Sequence, residues 1–260
     1  MKRSTVAVPG WLVLSALIAF SLVIGLLGTR ALVPDNHEIL VVRTAHEMAE
    51  RNDWIVPWFN GEPRLNKPPM SYWLTAAVAA VRAPDHPVEI FDGRLVSVLA
   101  GAVIVIVIYV TASAVSGTLA GALGAGLFVT SAGFFSFTHD ARPDLLYAMF
   151  CFLGFAAFVG AVVPGRRRYG AALIYLMWAS YGLAVLTKGP QIPVLFLIAA
   201  TAWLRREASS WQRITAILRP LRGLLLILAI AGPWWWLLQI NLPSQSLGNS
   251  QLSGSLLRLG

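Results

Sequence analysis

One cysteine, four histidines and twelve carboxylates are all that this chain of 260 residues offers of those chemistries, and each scarcity excludes something. The lone Cys151 sits in an apolar run, so neither a disulfide framework nor a paired-cysteine metal site can form, and the thiol reads as a small packing residue. His37, His46, His86 and His139 show no zinc-type ligand spacing. With acids so few, their placement is informative. Asp35, Glu38, Glu47, Glu50, Asp53 and Glu62, half of the twelve, fall in one stretch that runs from Asp35 to Trp73. No linker, low-complexity tract or heptad repeat interrupts the chain, and residues 1–260 read as a single membrane domain.

Apolar residues, by contrast, make up 57% of the chain, and the mean hydropathy is +0.68. Runs near the ~20 residues that cross a bilayer occupy 11–27, 95–114, 119–137, 145–163, 171–186, 192–204 and 223–240. The expected fold is therefore all-α, a polytopic transmembrane bundle of about seven spans. The first run follows Lys2 and Arg3 but exceeds the ~7–15 residues of a signal-peptide core, and no small-residue cleavage site follows it, so it reads as an uncleaved span. The 192–204 run is short and needs 189–191 or tilted neighbours to complete a crossing. Small residues along 117–126 suit close helix contacts. Trp234, Trp235 and Trp236 after Pro233 read as an interfacial belt in preference to a sugar-stacking platform.

With the amino terminus placed in the cytoplasm, alternation of sides sorts the charges. Lys2, Arg3, Arg166, Arg167, Arg168, Arg205, Arg206, Arg213, Arg219 and Arg222 fall inside against one acid, Glu207, while the outer side takes eleven acids and all the histidines. This is the positive-inside pattern. The net charge of +8 therefore reports topology and contact with anionic membrane lipids, not nucleic-acid binding. Residues 241–260 are polar and turn-rich with no closing element, so the chain reads as the amino-terminal part of a longer protein.

The first outer loop, residues 31–94, holds most of the chemistry. Ile39, Val42, Ala45 and Ala49 recur at helical spacing with Arg43, Glu47, Glu50 and Arg51 on other faces, which predicts an amphipathic helix along the outer membrane surface. Asp35 and Glu38 have the spacing of a helix-capping box, and capping accounts for both acids as well as catalysis does. Asn60-Gly61-Glu62-Pro63 signals a turn. Lys67, its backbone restricted by Pro68 and Pro69, suits a lipid phosphate; a snorkelling interfacial lysine is the alternative. Later loops return Arg142 and Asp144, then Lys188, to the same face, where Asp144 can cap a helix and Lys188 can satisfy carbonyls at a helix end. Arg94 can anchor its span at the interface. Each is ordinary alone; together they form a mixed acid and base set at one membrane rim.

Several of these runs resemble a known family. Asn52-Asp53-Trp54-Ile55-Val56-Pro57, Asn60-Gly61-Glu62-Pro63, Lys67-Pro68-Pro69 and Tyr72-Trp73-Leu74 are similar to the first outer loop of bacterial GT-C glycosyltransferases, the relatives of the lipid A aminoarabinose transferase and of protein O-mannosyltransferases. Ala141-Arg142-Pro143-Asp144 and Leu186-Thr187-Lys188-Gly189-Pro190 resemble later signatures in the same order, although Lys-Gly-Pro alone is not specific. The likeness covers about residues 10 to 240. It implies an enzyme that moves a sugar from a polyprenyl-phosphate donor to an acceptor on the outer face of the bacterial inner membrane. In that family an Asp-Glu pair opens the loop helix; counting back from Glu47-Met48, the pair falls on His37-Glu38, so histidine stands where aspartate is usual.

On this resemblance, Glu38 or Asp35 would deprotonate the acceptor, with His37 as an alternative base because an ordinary imidazole titrates near ~6.5. Lys67, Arg94, Arg142 and Lys188 would hold the donor phosphate, and Asp144 would orient sugar or acceptor. A divalent ion could sit on Asp35, Glu38 and Asp144, though the spacing does not demand one. The rival readings are a non-catalytic polyprenyl-lipid binder or transporter and a degenerate, truncated homologue. A transporter places ionisable groups within its spans, whereas here they gather at one rim.

Overall fold

A computed structural model describes residues 9–162, 170–207 and 210–242. Lys2, Arg3, Arg166, Arg167, Arg168 and the polar tail from 243 onward lie outside the described residues. The described chain is helical throughout apart from one short hairpin. In order the helices are α1 (Gly10–Leu26), α2 (Asn36–Arg51), α3 (Met70–Arg82), α4 (Ile90–Ser116), α5 (Thr118–Val129), α6 (Ala132–Thr138), α7 (Pro143–Val162), α8 (Gly170–Thr187), α9 (Gln191–Glu207), α10 (Trp211–Leu218) and α11 (Pro220–Asn241). Strands β1 (Trp58–Phe59) and β2 (Glu62–Pro63) pair antiparallel through Asn60 and Gly61, both at positive φ, which is the turn that Asn-Gly favours.

All seven apolar runs are helical, but length and composition support fewer crossings than seven. Among the described residues α4, α7, α8 and the continuous stretch Trp211–Asn241 are long and apolar enough, four in all, or five if α5 and α6 form one broken span. The 119–137 run, expected to be continuous, bends by 58°. Ser131 causes the break: its hydroxyl accepts the N–H of Phe134 at 3.1 Å, so it starts α6 as an N-cap. Helices α1 and α9 have 17 residues each, about 26 Å at 1.5 Å per residue, short of a ~30 Å hydrocarbon core.

The core lies in five clusters: Val41, Ala45, Met48, Tyr72 and Ala76 join α2 to α3, Val56, Leu186, Ala231, Trp234 and Leu238 join the loop to α8 and α11, and three more lie within the bundle. Ile104, Leu145, Leu146 and Phe150 join α4 to α7; Phe158, Met177, Trp178, Tyr181 and Ile214 join α7, α8 and α10; Val105, Tyr109, Ala125 and Phe134 join α4 to α5 and α6. Large apolar side chains such as Leu127, Leu195, Ile198, Leu225 and Leu228 point outward, as lipid-facing positions do. Two features of the outer loop depart from expectation. Helix α3 is a second loop helix, burying Ser71, Tyr72, Thr75, Ala76 and Ala79 on one face. Of the tryptophan triplet, Trp235 and Trp236 remain exposed, but Trp234 is buried and donates to the carbonyl of Ile55 at 2.9 Å, tying α11 to the loop.

Helices α7 and α8 pack tightly because Gly154 leaves room for the Tyr181 ring; a Cβ there would lie 2.8 Å from Cδ1 of that ring. Replacing Gly154 by leucine should destabilise the protein by about 1–3 kcal/mol through overpacking, outweighing the ~0.5–1 kcal/mol that loss of a helical glycine returns. A melting temperature in detergent equal to that of the parent would show that this contact is not tight.

Candidate active site

Helix α2 begins on the capping box that its sequence suggests. Asp35 Oδ1 accepts the N–H groups of His37 at 2.8 Å and Glu38 at 2.9 Å, and Glu38 Oε2 accepts the N–H of Asp35 at 3.1 Å. Capping is only part of the environment of Glu38. Its carboxylate is 3% exposed and receives Arg94 in a bidentate pair, Nε to Oε1 and Nη2 to Oε2, both at 2.7 Å. The N–H of Ala141 adds a bond to Oε1 at 2.8 Å. Four donors therefore meet the roughly four acceptor positions of one carboxylate. Burial opposes ionisation, but the hydrogen bonds from Arg94, Ala141 and Asp35 outweigh it and hold the Glu38 carboxyl below its ordinary range.

Arg94 is 2% exposed and donates through four of its five N–H groups. Its Nη1 bonds the carbonyl of Thr29 and, at 3.1 Å, that of Leu32, just beyond α1. One residue earlier, Gly93 lets α4 approach the α6–α7 loop; a Cβ there would come within 2.6 Å of the Ala141 Cβ. In the same loop the His139 ring nitrogens lie 2.7 Å from the carbonyl oxygens of Phe135 and Leu27. The end of α1, the starts of α2 and α4 and the α6–α7 loop thus meet at one point.

Around that point the remaining polar groups are more open. Arg142 bonds the Asp35 carboxylate on one side, and its Nε lies 2.6 Å from Asp140 Oδ2 on the other. The weak burial of Asp35 works against ionisation, but hydrogen bonds from Glu38 N–H, Arg142 and His37 N–H lower its carboxyl pKa overall. Asp140 behaves oppositely: burial, together with the charges of Glu38 and Asp35, pushes its carboxyl up to about 6 in spite of Arg142. Its backbone is held where the Ser97 hydroxyl donates to the Asp140 carbonyl at 2.7 Å. Asp144, in the first turn of α7, pairs at 2.6 Å with Lys188, just after α8.

The structure thus gathers Asp35, Glu38, Arg94 and Arg142, sets Asp144 and Lys188 together as a separate pair, and leaves two expected residues apart. His37 is exposed and only its backbone is engaged. Lys67 is partly buried, and among the described residues its ammonium makes no ion pair or hydrogen bond. Asp140 was not singled out by sequence; nothing in the spacing of His139-Asp140-Ala141-Arg142 distinguishes it. The set named for a divalent ion does not assemble, because Asp144 faces Lys188. The carboxylates that do converge are Asp35, Glu38 and Asp140, with one oxygen of each within 4.8 Å of the others. They do not fit a divalent ion, since Glu38 is saturated and the Arg142 guanidinium already lies between the other two.

The chain belongs to the dolichyl-phosphate-mannose-protein mannosyltransferase family, whose model matches residues 66–236, and so to the GT-C glycosyltransferases. Two uncharacterized proteins of Aquifex aeolicus (strain VF5) are similar to it, one 27% identical over 206 residues covering 78% of this chain and 38% of the relative. The other is 28% identical over 192 residues, covering 74% and 40%. The fold is that of ArnT from Cupriavidus metallidurans. Its apo crystal structure matches with a TM-score of 0.75 at 22% identity, over 93% of this chain and 43% of that one. Its structure bound to undecaprenyl phosphate matches at 0.77 and 23%, over 92% and 43%. The chain thus spans about two fifths of the length of these relatives. Its apolar helices make it a multi-pass membrane protein.

Removing Arg94 would strand a buried carboxylate. Arg94→Ala should cost about 3–5 kcal/mol in stability, and Arg94→Lys should restore only part, because an ammonium cannot reproduce the bidentate fork. Thermal unfolding in detergent reads both; a lysine variant as stable as the parent would refute the bidentate requirement.

Proposed function

We propose that this chain carries the transfer site of a glycosyltransferase that moves a sugar from a polyprenyl-phosphate donor to a hydroxyl of a lipid, glycan or protein acceptor. The reaction would take place at the outer face of the inner membrane. The observation that carries this reading is the polar cluster at one end of the bundle, where Arg142 bridges Asp35 and Asp140 and Asp144 meets Lys188. The family match and the undecaprenyl phosphate bound to ArnT support the donor class.

Transfer requires cations where negative charge develops on the leaving phosphate. Lys67 is the cation best placed to accept a new anion, having no partner among the described residues. Lys188 joins it by exchanging part of its contact with Asp144, which is then free to orient the sugar. Arg142 keeps Asp35 ionised and lies at hand for the phosphate. Glu38 and Arg94 act as positioning residues: Glu38 accepts four hydrogen bonds and Arg94 donates four, so they hold the surrounding segments and touch no substrate. The exposed His37 needs no part in this scheme, so the departure from the usual Asp-Glu pair does not abolish the site.

Two measurements test this reading. In the full-length protein, Lys67→Ala should weaken binding of undecaprenyl phosphate by about 1.5–3 kcal/mol, the range for hydrogen bonds to charged groups; unchanged binding by a folded variant would make the lysine an interfacial anchor. For sidedness, cysteines replacing Asn60 and Ser210 in a Cys151→Ser background should react with a membrane-impermeant reagent from opposite faces, Asn60 from outside. Labelling from the same face would separate the loop from the proposed orientation.

A further inference from the structure

We propose that Asp140 is the proton acceptor of the transfer reaction, its unpartnered carboxylate oxygen taking the proton of the attacking hydroxyl. This rests on the glycosyl-transfer reading above and assigns a role to a residue outside the expected site set. The first support is elimination. Glu38 accepts four hydrogen bonds. Asp35 has one oxygen on two backbone N–H groups and the other on Arg142. Asp144, with Oδ1 on Lys188, is given to orienting the sugar, and the exposed His37 makes no side-chain hydrogen bond among the described residues. Asp140 differs: Oδ2 faces Arg142, but Oδ1 is buried with no hydrogen-bond partner among the described residues. A buried polar atom left unmade is costly, and a donor arriving with substrate relieves that cost.

The second support is placement. The Asp140 side chain is 19% exposed, and rotation about its terminal bond is soft, so either oxygen can be presented to a hydroxyl docking beside Arg142. The backbone around it is held on both sides, by Ser97 at its own carbonyl and by Glu38 at the next N–H, which fixes the carboxyl as a catalytic group requires. The upward shift of this carboxyl, to about 6, makes it a stronger base than an ordinary aspartate while leaving it largely ionised at neutral pH, a match to general-base work.

In the step so defined, the acceptor O–H bond breaks and its proton passes to Asp140. The acceptor oxygen bonds to the anomeric carbon as the bond from that carbon to the phosphate oxygen breaks. The electron pair leaves with polyprenyl phosphate, whose charge the nearby cations stabilise. No oxidant, reductant or further reactant is needed. The charged and titratable groups that surround Asp140 are Asp35 and Glu38 from α2, Arg94 from α4 and His139 and Arg142 from its own loop. Because only the ionised carboxylate can accept, rate should rise with pH through about 6.

The test uses the full-length protein in its native membranes, whose lipid, glycan and protein hydroxyls serve as acceptors, with undecaprenyl-phosphate-linked mannose and aminoarabinose as donor probes, reading release of undecaprenyl phosphate. Asp140→Asn, which preserves shape, should lower turnover roughly 10²–10⁴-fold, leave binding of undecaprenyl phosphate unchanged and lose the acidic limb of the pH–rate profile. Asp140→Glu should recover part of the rate. Parental turnover in Asp140→Asn overturns the assignment, and so does a joint fall of rate, binding and melting temperature that Asp140→Glu does not rescue, which marks a purely structural aspartate. If the parent releases undecaprenyl phosphate from neither donor, the transfer reading itself fails and takes this one with it.

Discussion

The buried pair of Glu38 and Arg94 is the constraint on which the rest of the polar rim depends. Two charges taken out of water are tolerated only when good geometry and further hydrogen bonds offset the loss of hydration, and here Glu38 accepts four hydrogen bonds and Arg94 donates four. The partners come from three stretches distant in sequence: residues 29–38 from the carbonyls after α1 to the start of α2, the start of α4 and the loop before α7. None of these can shift without stranding a buried charge. The pair contributes position more than stability, since a well-packed apolar pair of equal volume would be no less stable.

The outer loop uses the same device at lower stakes. Glu47 accepts the N–H groups of Asn60 and Gly61 at 2.7 and 3.0 Å, fastening the hairpin to α2. Asp53 accepts the indole N–H of Trp58 at 2.8 Å. Asp92, fully buried, caps α4 and meets Arg82 from α3 at 2.5 Å. Most acids of the loop are therefore scaffold. Among the groups left with open valences are Asp140 and Lys67, with Arg142 and the Asp144–Lys188 pair at the solvent edge; Arg64 Nε, Ser71 Oγ and Tyr72 OH of the loop are also buried without a hydrogen-bond partner among the described residues. A rigid frame of satisfied charges that presents a few unsatisfied ones is what a preorganised site requires.

How much could be read in advance varied by element, for reasons that are physical. Helix α2 and its cap were legible because a capping box and a 3.6-residue pattern are local signals. The Asn60-Gly61 turn was legible for the same reason. Helix α3 was missed because its buried face is made of small and hydroxylated residues, Ser71, Thr75, Ala76 and Ala79, which carry little hydrophobic contrast. The break at Ser131 was hidden inside an apolar run. The tryptophan triplet was read as one belt, although only tertiary contact could turn Trp234 inward while its neighbours stayed outside.

By itself, the sequence determined that this is a helical membrane protein and set the expectation that eleven of its twelve acids lie on one side, because hydropathy, charge and capping patterns act over a few residues or a single span. The functional division among those groups was decided by tertiary structure alone. Glu38 and Arg94 are 56 residues apart and Arg142 and Asp35 107 apart, so no local pattern could show that the first two form a buried bidentate pair. Nor could spacing show that Asp140 keeps a free oxygen, because hydrogen-bond saturation is a property of the assembled neighbourhood and not of the residue type.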